Sequence, residues 1–284
     1  MKKKKLKKKT KIKLAILIGL WLMAIGTICY PLAIRFVGQT QNNQTISGYN
    51  ATASQISKEQ KEAQFAQARL YNKAIYANQM GFGLSDEEEN ALKNYKTTLK
   101  IGNSEMMGEV AIPSIDTDLP IFHGTGDSAL ESGIGHLTFS SLPIGGENTR
   151  AVLTGHSGLT SSKLFTRLDE LGKGDKFYIK IFDEIHAYRV SRIEVIEKED
   201  VKALQIDPGQ DEVSLVTCYP FGQNTHRLVV TGRRTKYNAN KLPAMQKGVP
   251  ASWHEMLTYA LPISLVVLLL LMIFKKIREK RSRT

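Results

Sequence analysis

The chain has 284 residues, 39 Lys+Arg against 27 Asp+Glu and a formal charge of +12, a balance that raises nucleic acid or an anionic membrane as partners. The excess sits at the ends: residues 1–13 carry nine Lys and no acid, 275–284 carry six Lys/Arg against Glu279, and 14–274 are left at −2. With no basic stripe in the body of the chain, a nucleic-acid partner is not expected, and the 42% hydrophobic and 23% charged content is that of a globular protein.

After the basic tail 1–13, residues 14–34 (LAILIGLWLMAIGTICYPLAI) run 21 residues without a charge, enough to cross a hydrocarbon core about 30 Å thick. A secretory signal has an apolar region of about 7–15 residues and a small-residue cleavage site, so an uncleaved anchor is expected, with Cys29 an ordinary buried thiol. Residues 35–55 are rich in Asn, Gln, Ser and Thr and read as a tether. From 56 to 79 the composition favours a helix, with Phe65, Ala68, Tyr71 or Asn72, and Ile75 on one face. Residues 80–104 open with Gly-punctuated GFG and an acidic cluster and read as a weakly packed connection, in which Ser85 and Glu88 form a capping box for a short helix.

Within 105–240 the texture changes to short β-rich runs broken by Gly, Pro and Asp: GEVAIP, LPIFHG, IGHLTF, RAVLTG, KFYIKIF, HAYRVSRIEVI, EVSLVTC and HRLVVTGRR. Eight such runs predict a mainly β, closed or nearly closed barrel. One helix is expected inside it, over 161–171, with Leu164, Phe165, Leu168 and Leu171 on one side. A linker, 241–256, leads to a second uncharged run, 257–274, and then to the basic tail 275–284. Basic flanks mark the cytoplasmic side of a span, so both termini are expected inside and the domain between them outside, at a cell membrane.

Disulfides are common in exported domains, yet Cys218 is the only cysteine between the two runs. It ends the strand EVSLVTC, where a loop takes over at Tyr219-Pro220. A thiol becomes a nucleophile when a base or cation creates and holds its thiolate, and a histidine can also protonate a leaving amine. His156 stands at a second strand end in LTGHSG, but composition alone does not rank it above His123, and His136, His186, His226 and His254 are also present. Arg227 opens the strand after Cys218, where a hairpin would bring its guanidinium to the sulfur. The competing reading makes Arg227, Arg233 and Arg234 a solvated basic face.

LVTC at 215–218, TGH at 154–156 and HRLVVTGRR at 226–234 together resemble the sortases of Gram-positive bacteria, in the right order and over about 108–234. The second apolar run and the N-terminal helical extension further resemble class C, the pilin-polymerising sortases. The resemblance implies a sortase-type eight-stranded β-barrel with short helices and two transmembrane helices. It also implies a cysteine transpeptidase: Cys218 attacks the Thr-Gly bond of an LPXTG-type sorting signal, His156 transfers the protons, and Arg227 holds substrate and oxyanion, with Thr217 helping to position the substrate. A pilin lysine would resolve the thioester. Neither metal nor organic cofactor is implied.

Many class C members carry a lid with Asp-Pro and an aromatic residue, and no such tripeptide occurs in 56–105. Phe82 and Asp86 in GFGLSD are the nearest lid candidates, Phe82 over the thiol and Asp86 paired with Arg227, against an exposed loop with no contact to the site. The alternatives are a sortase that anchors surface proteins to the cell wall, and a non-enzymatic tethered assembly or binding module. A metal site from Cys218, His156 and His226 lacks the close ligand pairs that zinc sites show.

Overall fold

Short runs of β-branched and aromatic residues with alternating side chains form eight strands. These are β1 (Met106–Ile112), β2 (Thr117–His123), β3 (Ile134–His136), β4 (Thr149–Thr154), β5 (Lys176–Ile181), β6 (Glu184–Glu197), β7 (Asp211–Tyr219) and β8 (His226–Thr235). They close into a barrel in the order β1-β2-β3-β4-β7-β8-β6-β5, the mainly β architecture expected. This computed structural model describes residues 8–102, 104–157 and 164–237, with 264 and 268. Gly38–Pro250 forms one compact unit, separate from the unit that holds the chain up to Val37.

The barrel interior is filled by Val110, Ile121, Leu153, Phe177, Leu215 and Val230, all buried, each contributing about 1.5–3 kcal/mol on leaving water. β4 and β7 are covered on both faces and run parallel, as the short pair β2 and β3 also does. On the outer side Val152, Val216 and Val229 pack under Leu204 of the loop 198–210.

The N-terminal helices are more firmly attached than their polar composition implies. Helix α1 (Lys8–Ala53) runs through most of the stretch expected as a tether, because Asn42, Ile46, Tyr49 and Ala53 recur at helical spacing and are buried. The Tyr49 hydroxyl donates to the Met107 carbonyl at 2.8 Å and accepts from the Phe182 amide at 3.2 Å. Helix α2 (Lys58–Met80) starts at a Ser57/Gln60 capping box, stops at left-handed Gly81, and buries Phe65, Ala68, Tyr71, Asn72 and Ile75. Helix α3 (Asp86–Lys93) has the Ser85/Glu88 capping box expected, and Ala91, Tyr95 and Leu99 pack into the core, so this connection is not weakly packed. A fourth short helix, α4 (Asp127–Ser132), links β2 to β3.

Two further expectations need correction or qualification. The helix expected over 161–171 is, in its described part, a turn followed by a single 3-10 turn at Leu168–Glu170, although Leu164, Phe165, Leu168 and Leu171 are buried as predicted. Burial of those four is met by the turn, so the spacing did not require a regular helix. Among the described residues no helix is long and apolar enough to cross a membrane. Residues 14–34 fall on α1, where many of their side chains lie outside the described residues, and Cys29 there is exposed. Residues 1–7, 241–256 and 275–284 lie outside them, as does 257–274 apart from Ser264 and Leu268.

Asp118 on β2 is an acid held in an unfavourable place. One of its carboxylate oxygens is buried without a hydrogen-bond partner, and burial, then the Glu109 charge, against the opposing pull of Lys180, push its pKa from 3.8 up to about 6. A raised folded pKa means that the folded state binds more protons than the unfolded chain between 3.8 and 6, so this group lowers stability as pH rises through that window. Asp118→Asn is expected to stabilise the domain at pH 7 by on the order of 1–3 kcal/mol. The gain should vanish below 3.8; a melting-temperature difference that stays constant from pH 3 to 8 would remove Asp118 as its source.

Candidate active site

Strand register assembles the three predicted side chains. β4 and β7 pair in parallel, Thr154 opposite Val216, so the chain leaves both strands at the same barrel end and His156 emerges beside Cys218. Three bonds lace these exits together: the Gly155 amide donates to the Val216 carbonyl at 3.0 Å, the Thr217 hydroxyl to the Gly155 carbonyl at 2.7 Å, and the Ser157 hydroxyl to the Cys218 carbonyl at 2.9 Å. Gly155 is required here, since a Cβ would sit 2.9 Å from the Ile134 methyl and 3.0 Å from the Phe165 ring. β7 and β8 pair antiparallel with Cys218 directly opposite Arg227, which puts thiol and guanidinium on one sheet face. Cys218, His156 and Arg227 are all half-buried, within reach of both protein and solvent.

The Arg227 guanidinium donates to the carbonyls of Asn224 at 3.3 Å and His226 at 2.9 Å. The neighbouring arginines of β8 behave differently: Arg233 pairs with Glu212 at 3.0 Å, and Arg234 approaches Asp211 at 3.9 Å and lies over the Tyr188 ring. The three do not form one solvated basic face, and among the described residues no carboxylate neutralises Arg227. Its charge is therefore left available on the sheet face that it shares with Cys218.

A groove of about 190 Å3 opens on this outer face beside Arg227. Val216 and Ile196 form its floor, Leu137 and Phe139 of the loop 137–148 one wall, and Val201 and Leu204 of the loop 198–210 the other. Thr125, Thr154, Lys198 and Asp200 complete its lining, so a mostly apolar groove carries polar and charged groups along its edges.

The remaining sequence candidates fall elsewhere. Thr217 is buried on the opposite strand face and spends its hydroxyl on Gly155, so it supports the His156 turn rather than facing the groove. Phe82 is 63% exposed, too open to solvent to cover a thiol, Asp86 begins α3, and no ion pair joins Asp86 to Arg227 among the described residues. His123 is turned to the carbonyls of Thr98 and Glu105. His136 is fully buried against Tyr95 and Ser141, and burial lowers its pKa to about 4; burial likewise lowers that of His186 to about 4. His226 lies one register position beyond Arg227, opposite Tyr219, so it faces away from Cys218 and meets Thr225 and Glu197 instead. The strand register thus separates His226 from the His156 and Cys218 set. His254 lies outside the described residues. Ser157 and Arg150 were not anticipated, although a charged residue on the apolar strand RAVLT was a visible signal for Arg150.

A closed eight-stranded barrel with a thiol, an imidazole and an unneutralised guanidinium at one strand end defines a class of cysteine enzymes built for acyl transfer. The family model described as the Sortase domain matches residues 110–235. Sortase D of Bacillus subtilis is 32% identical over 142 residues, 49% of this chain and 69% of that protein, and Sortase A of Streptococcus agalactiae is 33% identical over 134 residues, 46% of this chain and 53% of that protein. Sortase C1 of S. agalactiae superposes with a TM-score of 0.62 at 36% identity, covering 69% of this chain and 100% of that one. Sortase C of Streptococcus pneumoniae gives 0.59 at 35%, covering 69% and 98%. The chain belongs to the sortase family, a family of cysteine transpeptidases, and its structural neighbours are class C members.

The lacing of the two strand exits can be tested directly. Thr217→Val keeps shape but leaves the Gly155 carbonyl without its donor, a loss of about 1–3 kcal/mol. A lower melting temperature together with a reduced kcat for peptide cleavage is expected, because the His156 turn loses its support. Unaltered kcat in a destabilised variant would separate Thr217 from the chemistry.

Proposed function

We propose that this sortase cleaves LPXTG-type sorting signals between Thr and Gly and joins pilin subunits through a lysine amine. The observation that carries the reading is the shared strand end of Cys218, His156 and Arg227 beside an apolar groove. The Cys218 thiolate adds to the Thr carbonyl carbon, and the carbonyl electrons move to oxygen, where Arg227 donates hydrogen bonds. Collapse of this tetrahedral species breaks the C–N bond. His156 delivers the proton that the departing glycine amine needs, leaving a thioester. The incoming lysine amine loses its proton to His156, attacks the thioester, and Cys218 departs as thiolate, so that an isopeptide bond replaces the peptide bond.

The pilin assignment draws on the neighbours: S. pneumoniae Sortase C is reported with insights into pilin substrate specificity, S. agalactiae Sortase C1 is assigned to Pilus Island 1, and Clostridium perfringens sortase C has been solved with a C-terminal cell wall sorting motif. A cell-wall anchoring role is the second reading, favoured by the 33% identity to a Sortase A. We place the enzyme at the cell membrane with both termini cytoplasmic and the barrel outside, on the basis of the apolar runs 14–34 and 257–274 and their basic flanks.

Purified full-length chain is expected to cleave an LPXTG-type peptide, and Cys218→Ala to abolish cleavage with an unchanged melting temperature. Mass spectrometry should find the acyl group on Cys218 in the wild type. Full activity in the alanine variant would end the thioester mechanism. Phe82→Ala is expected to change the rate less than twofold, since that ring is turned to solvent; a large acceleration would restore it as a lid.

A further inference from the structure

Both walls of the groove beside Arg227 are loops, and loops hold their positions only when something outside them fixes them. Here that outside element is α2. The Asn72 side-chain amide donates to the Leu142 carbonyl at 3.1 Å and accepts from the Leu142 amide at 2.6 Å. The Gln79 side-chain amide donates to the Ile206 carbonyl at 2.9 Å and accepts from the Ile206 amide at 2.7 Å. Each side chain thus pairs with both peptide groups of one loop residue, as a neighbouring β-strand would. Leu142 belongs to the loop that supplies Leu137 and Phe139, and Ile206 to the loop that supplies Val201 and Leu204.

Asn72 and Gln79 are seven residues apart, about two helical turns, and so share one face of α2. Between their two loops lies a cleft of about 510 Å3 that shares Phe139, Val201 and Leu204 with the groove, so the two cavities have common walls. The second wall is also held from beneath: buried Arg150 donates to the carbonyls of Ala203 and Gln205, both at 2.9 Å, and to the Ser214 hydroxyl at 2.8 Å. Loop 203–206 is therefore pinned from the barrel by Arg150 and from α2 by Gln79. The Tyr71 hydroxyl adds a bond to the Thr138 carbonyl in the first wall.

We propose that Asn72 and Gln79 are positioning residues that fix the separation of the two groove walls, so that α2, which lies outside residues 110–235 matched by the family model, determines how the peptide is gripped. The consequence for peptide binding rests on the groove being the peptide site; the clamp itself does not.

The test uses the full-length chain with Gln79→Leu, which keeps length and removes both hydrogen bonds, and Gln79→Glu, which keeps the acceptor for the Ile206 amide and loses the donor. Asn72→Asp is the corresponding change in the buried clamp. With an LPXTG-type peptide, Gln79→Leu is expected to raise KM about tenfold, equivalent to about 1.4 kcal/mol, with kcat within twofold. Gln79→Glu and Asn72→Asp should fall between it and wild type. Hydrogen exchange should accelerate at 201–206 in Gln79→Leu while β4 and β7 keep wild-type protection. Unchanged exchange at 201–206, or a loss confined to kcat, would overturn the proposal. If the wild type cleaves no such peptide, the functional reading fails, and the exchange measurement still decides the clamp.

Discussion

The candidate active site depends on one pairing, the parallel register of β4 with β7. Antiparallel neighbours joined by a hairpin would bring the end of one strand beside the start of the next; parallel neighbours bring two ends together. That is what a thiol and an imidazole need when each terminates its own strand, as Cys218 and His156 do. The arrangement requires a long crossover, because the chain must return to the far end of the barrel before it can run parallel. Most of the chain between His156 and Cys218 is spent on this return: the turn at 164–171, β5, β6 and the loop 198–210. The same crossover then serves the site, since its last loop forms a wall of the groove.

Burial on both faces keeps this pair fixed. Inside the barrel Leu153 and Leu215 are locked in the main core; outside, Val152, Val216 and Val229 are covered by Leu204. Below that apolar layer Arg150 is almost fully buried, with neutral oxygens of Ala203, Gln205, Ser214 and Thr231 as its direct partners. A buried guanidinium is costly unless its donors are satisfied, and burial lowers its pKa. The bonds it makes tie β4, β7, β8 and the crossover loop into one unit. The polar layer thus sits at one end of the outer face and the reactive groups at the other, with valines between them to exclude water.

Much of this was legible because it is local. The eight strands follow in order from alternating runs, the α2 face from Phe65, Ala68 and Ile75, and the α3 capping box from Ser85 with Glu88 three residues on. What was not legible depends on partners distant in sequence. The stretch 38–53 looks like a polar tether until Tyr49 finds Met107 and Phe182. The 161–171 pattern encodes burial, which a turn satisfied as well as a helix would. Among the site residues, strand ends identified Cys218, His156 and Arg227 as candidates, but only strand order separates His156 from His123, whose ring is turned to the carbonyls of Thr98 and Glu105. Asn72 stood as an alternative to Tyr71 on the α2 face and Gln79 gave no signal, but the bonds of both were illegible, since their partners are backbone groups 70 and 127 residues away.

The arginines of β8 show how one strand can carry two kinds of charge. At its C-terminal end Arg233 and Arg234 face Glu212 and Asp211 across the β7 pairing, so their charges are largely cancelled and serve the barrel. At its N-terminal end the residue opposite Arg227 is Cys218, which is neutral as a thiol and anionic as a thiolate. The carbonyls of Asn224 and His226 orient the guanidinium without cancelling its charge. Its charge is thereby left available on the face where the groove opens. A carboxylate at position 218, directly opposite Arg227, would pair with it at rest and remove that availability, whereas Asp200, which lines the same groove, makes no ion pair with Arg227 among the described residues.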